Sequence, residues 1–364
     1  MSKKPRKNSK PFVFGATALS IITILGCAKQ GLKEKAVVKE KREKPAEVRR
    51  WEKEIPKISE EEVSKKQEVM KEQGLVALAH EATMSQSTRR AVELAGGFGF
   101  IKSGETILVK VNANSYDPHP GTTNPEVVKE VVKMAFEAGA GEVIVADRSS
   151  IYGPWSNTMY NMRRVGIERA AREAGAEVIA LEDTEWIHIR PEGVTHWKEG
   201  LTIPRLAQEV DHIINLPVVK THEAAVFSMS LKNFVGLISP HDRRVMHASP
   251  HLQEMIADLN LAFKPSFIVM DASRVFVTGG PARGRIKEPR IIVATRDRIA
   301  ADVVGLALLK TLGTTSRIEK RSVWDQPQIR RAIELKLGIP GASELKFKWE
   351  SIADMERITD HALH

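Results

Sequence analysis

The stretch that decides the fold runs from residue 105 to residue 147: ETILVKVN (105–112), then NPEVVKEVVKMAFEAG (124–139), then GEVIVAD (141–147). The outer pieces are short apolar runs rich in Val and Ile, which predict strands. Between them apolar residues recur at helical spacing. Asn124 suits the N-cap, Pro125 the first turn, and Gly139 the stop. A strand, a helix and a strand in this order predict two parallel strands joined by a crossover helix.

Working outward, the same alternation continues. MRRVGIERAAREAG (162–175) reads as a helix ending at a glycine, and AEVIALED (176–183) as a strand. VDHIINLPVV (210–219), PSFIVMDA (265–272) and PRIIVAT (289–295) read as further strands, and DRIAADVVGLALLKTLG (297–313) as a helix. Fully apolar strands alternating with helices predict an α/β domain. Its sheet is expected to be mainly parallel and doubly wound, with helices on both faces. Such sheets bind ligands beyond the carboxyl ends of their strands, where the strand order reverses. The residues expected there are Lys110, Asn112, Asp147, Asn215, Lys220, His222 and Asp271.

The chain has 364 residues and a formal net charge of +9. Residues 1–10 supply five of those charges and residues 28–72 a net three, leaving about one for everything after residue 72. The main domain is therefore nearly neutral, and no nucleic-acid footprint is expected. Residues 11–26, PFVFGATALSIITILG, are uncharged and followed by Cys27, the single cysteine. A basic start, a short apolar run and a small residue before the cut make an export signal. The ending ILGC resembles the bacterial lipobox, which implies lipidation at Cys27 and export. It also implies tethering to the cell envelope, on the periplasmic side of an outer membrane if the cell has one. Residues 28–73, dense in Lys and Glu, read as a flexible tether. The expected organisation is a lipoprotein signal at 1–27, the tether at 28–73, an α/β domain at 74–348 and a tail at 349–364.

Several segments in order resemble the family called domain of unknown function 362. They include ILVKVN (107–112), TTNPEVVKEVV (122–132), GAGEVIVADRSS (139–150) and VDHIINLPVVKTHEAAVFSMSLKNFVG (210–236). KPSFIVMDA (264–272), GGPARG (279–284), RDRIAADVVG (296–305) and VWDQPQIRRAIELKLG (323–338) follow. The spacing of KTH, LKN and GGPxxG carries the resemblance. Many members of that family carry ferredoxin-type cysteine clusters. One cysteine cannot hold such a cluster, so no iron–sulfur cofactor is expected here.

The densest polar segment lies at 215–251 and holds Lys220, His222, Lys232, Asn233, His241, His247 and His251. Lysine supplies a point charge and histidine a directional donor or base, which suits an anionic small molecule. His241, His247 and His251 leave a divalent metal open, with His247 the favoured ligand. His251 is expected in a helix's first turn with Ser249 as its cap. Gly279, Gly280 and Gly284 form a loop whose backbone N–H groups are expected to face an anion. His119, Thr122, Thr123 and Asn124 precede a helix N-terminus, where anions are favoured. Asp297 reads as structural, Asp302 as able to turn toward the site, and Asp271 as functional. The lysine of LKN and the later His247 also resemble, more remotely, the nickel-pincer lactate racemase family. There the lysine holds a pyridine-derived cofactor and the histidine touches nickel.

Two readings stay open. One is an envelope enzyme of unspecified reaction acting on a small anion, with Lys220, His222, Lys232 and Asp271 catalytic. In it Lys110, Asn112, Asp147, Asn215, Asn233 and the loop glycines bind the ligand. The other is a tethered binder of a ligand or a metal, without chemistry. The sequence names no protein partner.

Overall fold

The computed structural model describes residues 74–364. The expected signal peptide with Cys27 and the tether at 28–73 lie outside the described residues.

Thirteen strands are present among these residues. They are β1 (Leu75–Ala79), β2 (Thr106–Lys110), β3 (Glu142–Asp147), β4 (Glu177–Ala180), β5 (Trp186–Ile189), β6 (Leu201–Pro204) and β7 (His212–Asn215). After them come β8 (Val218–His222), β9 (Val226–Ser228), β10 (Pro265–Phe276), β11 (Ile286–Lys287), β12 (Ile291–Thr295) and β13 (Lys346–Glu350). The main sheet runs β13-β1-β12-β10-β7-β2-β3-β4, with β8, β9 and β11 attached to its β10 side. From β10 to β4 every neighbour is parallel. β12 is antiparallel to both β1 and β10. β5 and β6 form a separate antiparallel pair.

The alternation of side chains explains the two covered faces. Ile107, Val109, Val143 and Val145 point to one face and pack with Val127, Val131 and Ala91 of the helices Pro125–Glu137 and Met84–Leu94. Leu108, Ile144 and Ala146 point to the other and join a core with Ile256, Val303 and Ile358. Those three belong to the helices Leu252–Leu259, Arg298–Leu312 and Met355–Leu363. Period-two strands between period-3.6 helices produce this layering.

The crossover helix begins as expected, with Asn124 accepting from Glu126 N and Pro125 in the first turn. Asp297 caps the helix Arg298–Leu312 through Ile299 N and Ala300 N, and it also accepts from Ile339 N at 2.7 Å.

Four expectations need correction. The stretch 162–175 is two helices, Thr158–Arg164 and Ile167–Glu173, separated at Gly166 with φ +85°. A left-handed residue cannot continue an α-helix. The run 210–219 is likewise two strands, β7 and β8, because Pro217 has no N–H for the ladder. β10 runs on to Phe276, so Asp271 stands within a strand and not at its end. Residues 349–364 are no loose tail. β13 pairs in parallel with β1, and Met355, Ile358 and Ala362 of the last helix are buried.

The chain passes from β2 to β3 to β4 toward one edge and then returns to β7 on the other side of β2. The strand order therefore reverses between β2 and β7, and the crevice beyond Lys110 and Asn215 is where this fold leaves room for a ligand.

Candidate functional site

A cleft of about 320 Å³ opens at that reversal point. Of the residues expected there, Asn112, Asp147, Lys220, His222, Lys232, Asn233 and His247 line it. The sequence reading missed Arg148, Ser150, Tyr152, Trp155 and Arg243, which line it as well.

Lys110 and Asn215 support the cleft from behind. Lys110 is wholly buried, and its Nζ lies 2.7 Å from Asp147 Oδ1 and donates to Val111 O. Asp147 Oδ2 accepts from Ala113 N at 2.6 Å. The one carboxylate lining the cleft is thus already paired. Gly236 lies directly against this pair. A Cβ there would collide with Asp147 Oδ1 and come within 2.5 Å of Lys110 Nζ, so the turn after LKN needs glycine.

The LKN segment is held by a buried amide network. Asn215 Nδ2 donates to Ser230 O and Ser230 Oγ, each at 3.1 Å. Asn233 Nδ2 donates to Asn215 Oδ1 at 2.7 Å and to Lys110 O at 3.2 Å. Asp302 faces the same segment and accepts from Ser230 N and Leu231 N. Asp302 therefore positions the short helix Ser230–Asn233 and does not line the cleft.

The cationic groups are in tension with their surroundings. Lys220 Nζ donates to Gly121 O at 2.6 Å and to Pro281 O at 3.2 Å. Burial, then the neighbouring Lys232 ammonium, pushes Lys220 down to about 7. Burial, then Arg243, lowers Lys232 to about 8, and Lys232 Nζ has no hydrogen-bond or ion-pair partner among the described residues. Arg243 donates to Ser149 O and Arg148 O, each at 2.6 Å, which pins the loop after β3. Burial brings Arg243 down to about 10.

The two histidines of the cleft show opposite faces of the imidazole. His222 Nδ1 accepts from Ala225 N at 3.1 Å, so its neutral ring carries the proton on Nε2. Burial, aided by Lys232 and Lys220, keeps His222 well below the usual histidine value. His247 Nδ1 lies 2.7 Å from Arg243 O and must donate to it, which leaves Nε2 with a lone pair. Burial lowers His247 too.

Other expected site residues have different tasks. Asp271 does not reach the cleft. Its Oδ1 accepts from Ser273 N and Ser273 Oγ, and its Oδ2 accepts from Asn124 N at 3.3 Å and lies 3.4 Å from His119 Nδ1. The anionic group at the start of the helix Pro125–Glu137 is therefore the chain's own Asp271. The hydroxyls of Thr122 and Thr123 are used up on Asp117 O and Leu216 O.

None of the three loop glycines lines the cleft. Gly280 N donates to Arg283 O, and a Cβ on Gly280 would strike Thr221 O. A Cβ on Gly279 would come within 2.5 Å of Arg283 O, and one on Gly284 would strike Thr278 O. These glycines permit tight packing, while Pro281 and Ala282 form a wall of the cleft.

The three histidines of 241–251 do not gather. His241 is exposed, and His251 lies against His196 with ring centroids 5.1 Å apart. His251 is itself the N-cap of the helix Leu252–Leu259 and stands before its first turn, so Ser249, whose Oγ accepts from His251 N at 3.0 Å, is not the cap expected. Among the described residues there is no group of three or more His, Cys, Asp or Glu arranged to hold a metal.

With this geometry in view, the chain belongs to the family described as Domain of unknown function (DUF362), whose model matches residues 107–307, more than half its length. That match contains every cleft residue named above. A thylakoid-associated protein of Synechocystis sp. is 26% identical over 230 residues, 60% of this chain and 67% of the relative. Two solved structures are also similar. One is a Thermotoga maritima protein with TM-score 0.37 and 15% identity, matched over 53% of this chain and 51% of that one. The other is the lactate racemase apoprotein of Thermoanaerobacterium thermosaccharolyticum, with TM-score 0.34 and 18% identity, over 55% and 50%. The chain thus spans about half the length of each solved structure.

Proposed function

We propose that the cleft binds a small organic anion and transfers a proton on it. One observation carries the anion reading. Lys220, Lys232, Arg148 and Arg243 come from four separate elements to one cleft whose single lining carboxylate, Asp147, is neutralised by Lys110. Holding four cations together with no free carboxylate to balance them costs free energy that an anionic ligand offsets. In this reading Lys232 makes the main ion pair, and Lys220 and His222 Nε2 donate hydrogen bonds.

A second observation favours chemistry over plain binding. His222 offers a proton and His247 offers a lone pair to the same cleft. The lone pair of neutral His247 suits a general base, while the N–H of neutral His222, too weak an acid to give up its proton, suits a hydrogen bond to the charge that develops on the ligand.

The domain sits on a membrane through a lipid at Cys27 in this proposal. The ILGC motif supports it, as does the thylakoid association in the relative's name. No helix among the described residues is long and apolar enough to cross a membrane.

The test of the anion site is calorimetric titration of the full chain with inorganic phosphate at pH 6.5. Lys232→Gln should weaken binding by about tenfold to a hundredfold, the worth of one charge-assisted hydrogen bond. Unchanged affinity in that variant, or no binding by the parent protein, refutes the reading.

A further inference from the structure

The cleft is larger than an inorganic anion requires, and its mouth is aromatic. Tyr152 and Trp155 line it together with Ile151 and Val235. Tyr152 is 51% exposed, with its ring edge-on to His247 at 6.2 Å. Trp155 lies 6.4 Å from Tyr116, which meets Tyr160 edge-on at 6.2 Å. A half-exposed tyrosine and a partly buried tryptophan lining a cationic cleft offer more apolar surface than a small hydrophilic ion uses.

We infer that the ligand is an anion bearing an aromatic ring. Its anionic group lies toward Lys220 and Lys232, and its ring rests against Tyr152 and Trp155. This rests on the anion reading above and names the class of anion. A ring suits the site better than a saturated body of equal size. Rim rings pair with it stacked or edge-on, and the Lys232 ammonium or Arg148 guanidinium is attracted to its face. A saturated body gains only burial. The cleft volume, about 320 Å³, is at the small end of organic-ligand sites and admits one ring with its substituents.

The test titrates the full chain with inorganic phosphate, cyclohexyl phosphate and phenyl phosphate. Phenyl phosphate should bind about tenfold or more tighter than phosphate, and about threefold or more tighter than cyclohexyl phosphate. Tyr152→Leu and Trp155→Phe should each cut the phenyl-to-phosphate ratio by about threefold or more. Tyr152 is half exposed and its ring makes no hydrogen bond among the described residues, so that variant should fold even if Trp155→Phe does not. If phosphate binds but the phenyl ester gains nothing, the ring proposal falls while the anion reading stands. Equal affinity for the phenyl and cyclohexyl esters overturns aromatic recognition. A phenyl preference untouched in folded Tyr152→Leu overturns the assigned rim. Failure of all three probes to bind overturns the anion reading, and this inference with it.

Discussion

Asp147→Asn is the change that most directly tests how the site is supported. Asp147 Oδ1 stands 2.7 Å from Lys110 Nζ, and both side chains are almost wholly buried. An asparagine must turn its NH₂ either toward the Lys110 ammonium or toward Ala113 N, which now donates to Oδ2 at 2.6 Å. The first choice opposes donor to charge, and the second leaves a backbone N–H without an acceptor. Removing one partner of a buried pair typically costs about 3–5 kcal/mol. Lys110 has an escape, because it can shed its proton. Burial already lowers its pKa from the ordinary value of 10.5. Neutralising a lysine of that ordinary value costs at most about 5 kcal/mol at pH 7 and about 2 kcal/mol at pH 9. The destabilisation should therefore be about 3–5 kcal/mol at pH 7 and shrink to about 2 kcal/mol or less at pH 9. Urea unfolding at both pH values measures it, with Lys110→Met added to Asp147→Asn as the variant that removes the stranded charge. A loss below about 1 kcal/mol at pH 7, or one of the same size at both pH values, would show that the pair does not work as described.

Stability and binding should also depend on pH with opposite signs. Lys220 is near 7 in the folded chain against an ordinary 10.5, so between these values the unfolded chain holds more protons, and stability should rise with pH across that window. Lys220→Met should flatten the rise in urea midpoints measured from pH 7 to 10, and an unaltered slope would contradict the assignment. Phosphate affinity should instead fall as pH rises through about 7 to 8, where Lys220 and Lys232 lose their charge. Cys27→Ser should move the protein from the membrane fraction to the soluble fraction and abolish lipid labelling; continued membrane retention after a high-salt wash would count against lipid anchoring.

Much of the frame was legible because it is local. The helix Pro125–Glu137 carries its own cap and first-turn proline, and β2 and β3 end in residues as distinctive as Lys110 and Asp147. The break at Pro217 escaped the reading of 210–219 as one strand, although proline inside an apolar run argues against continuity. Arg148 directly follows Asp147, so the strand-end reasoning that selected one reaches the other. Arg243 gave no such signal. It sits in a polar helix, HDRRVMHA, where nothing local separates the arginine turned inward from its exposed neighbour Arg244.

The sequence by itself determined the layered α/β class, the switch of composition near residue 73, and most of the polar groups at the carboxyl edge. Those follow from periodicity, capping and charge, which act over a few residues. The tertiary structure alone decided that β12 runs antiparallel, because an apolar strand reads the same in either direction until it has neighbours. It alone sent Asp271 behind the cleft to hold Asn124 and brought Tyr152, Trp155 and Arg243 to its mouth and wall. Which partner a carboxylate or a guanidinium finds is settled by contacts between segments far apart in the chain, and only the folded packing fixes them.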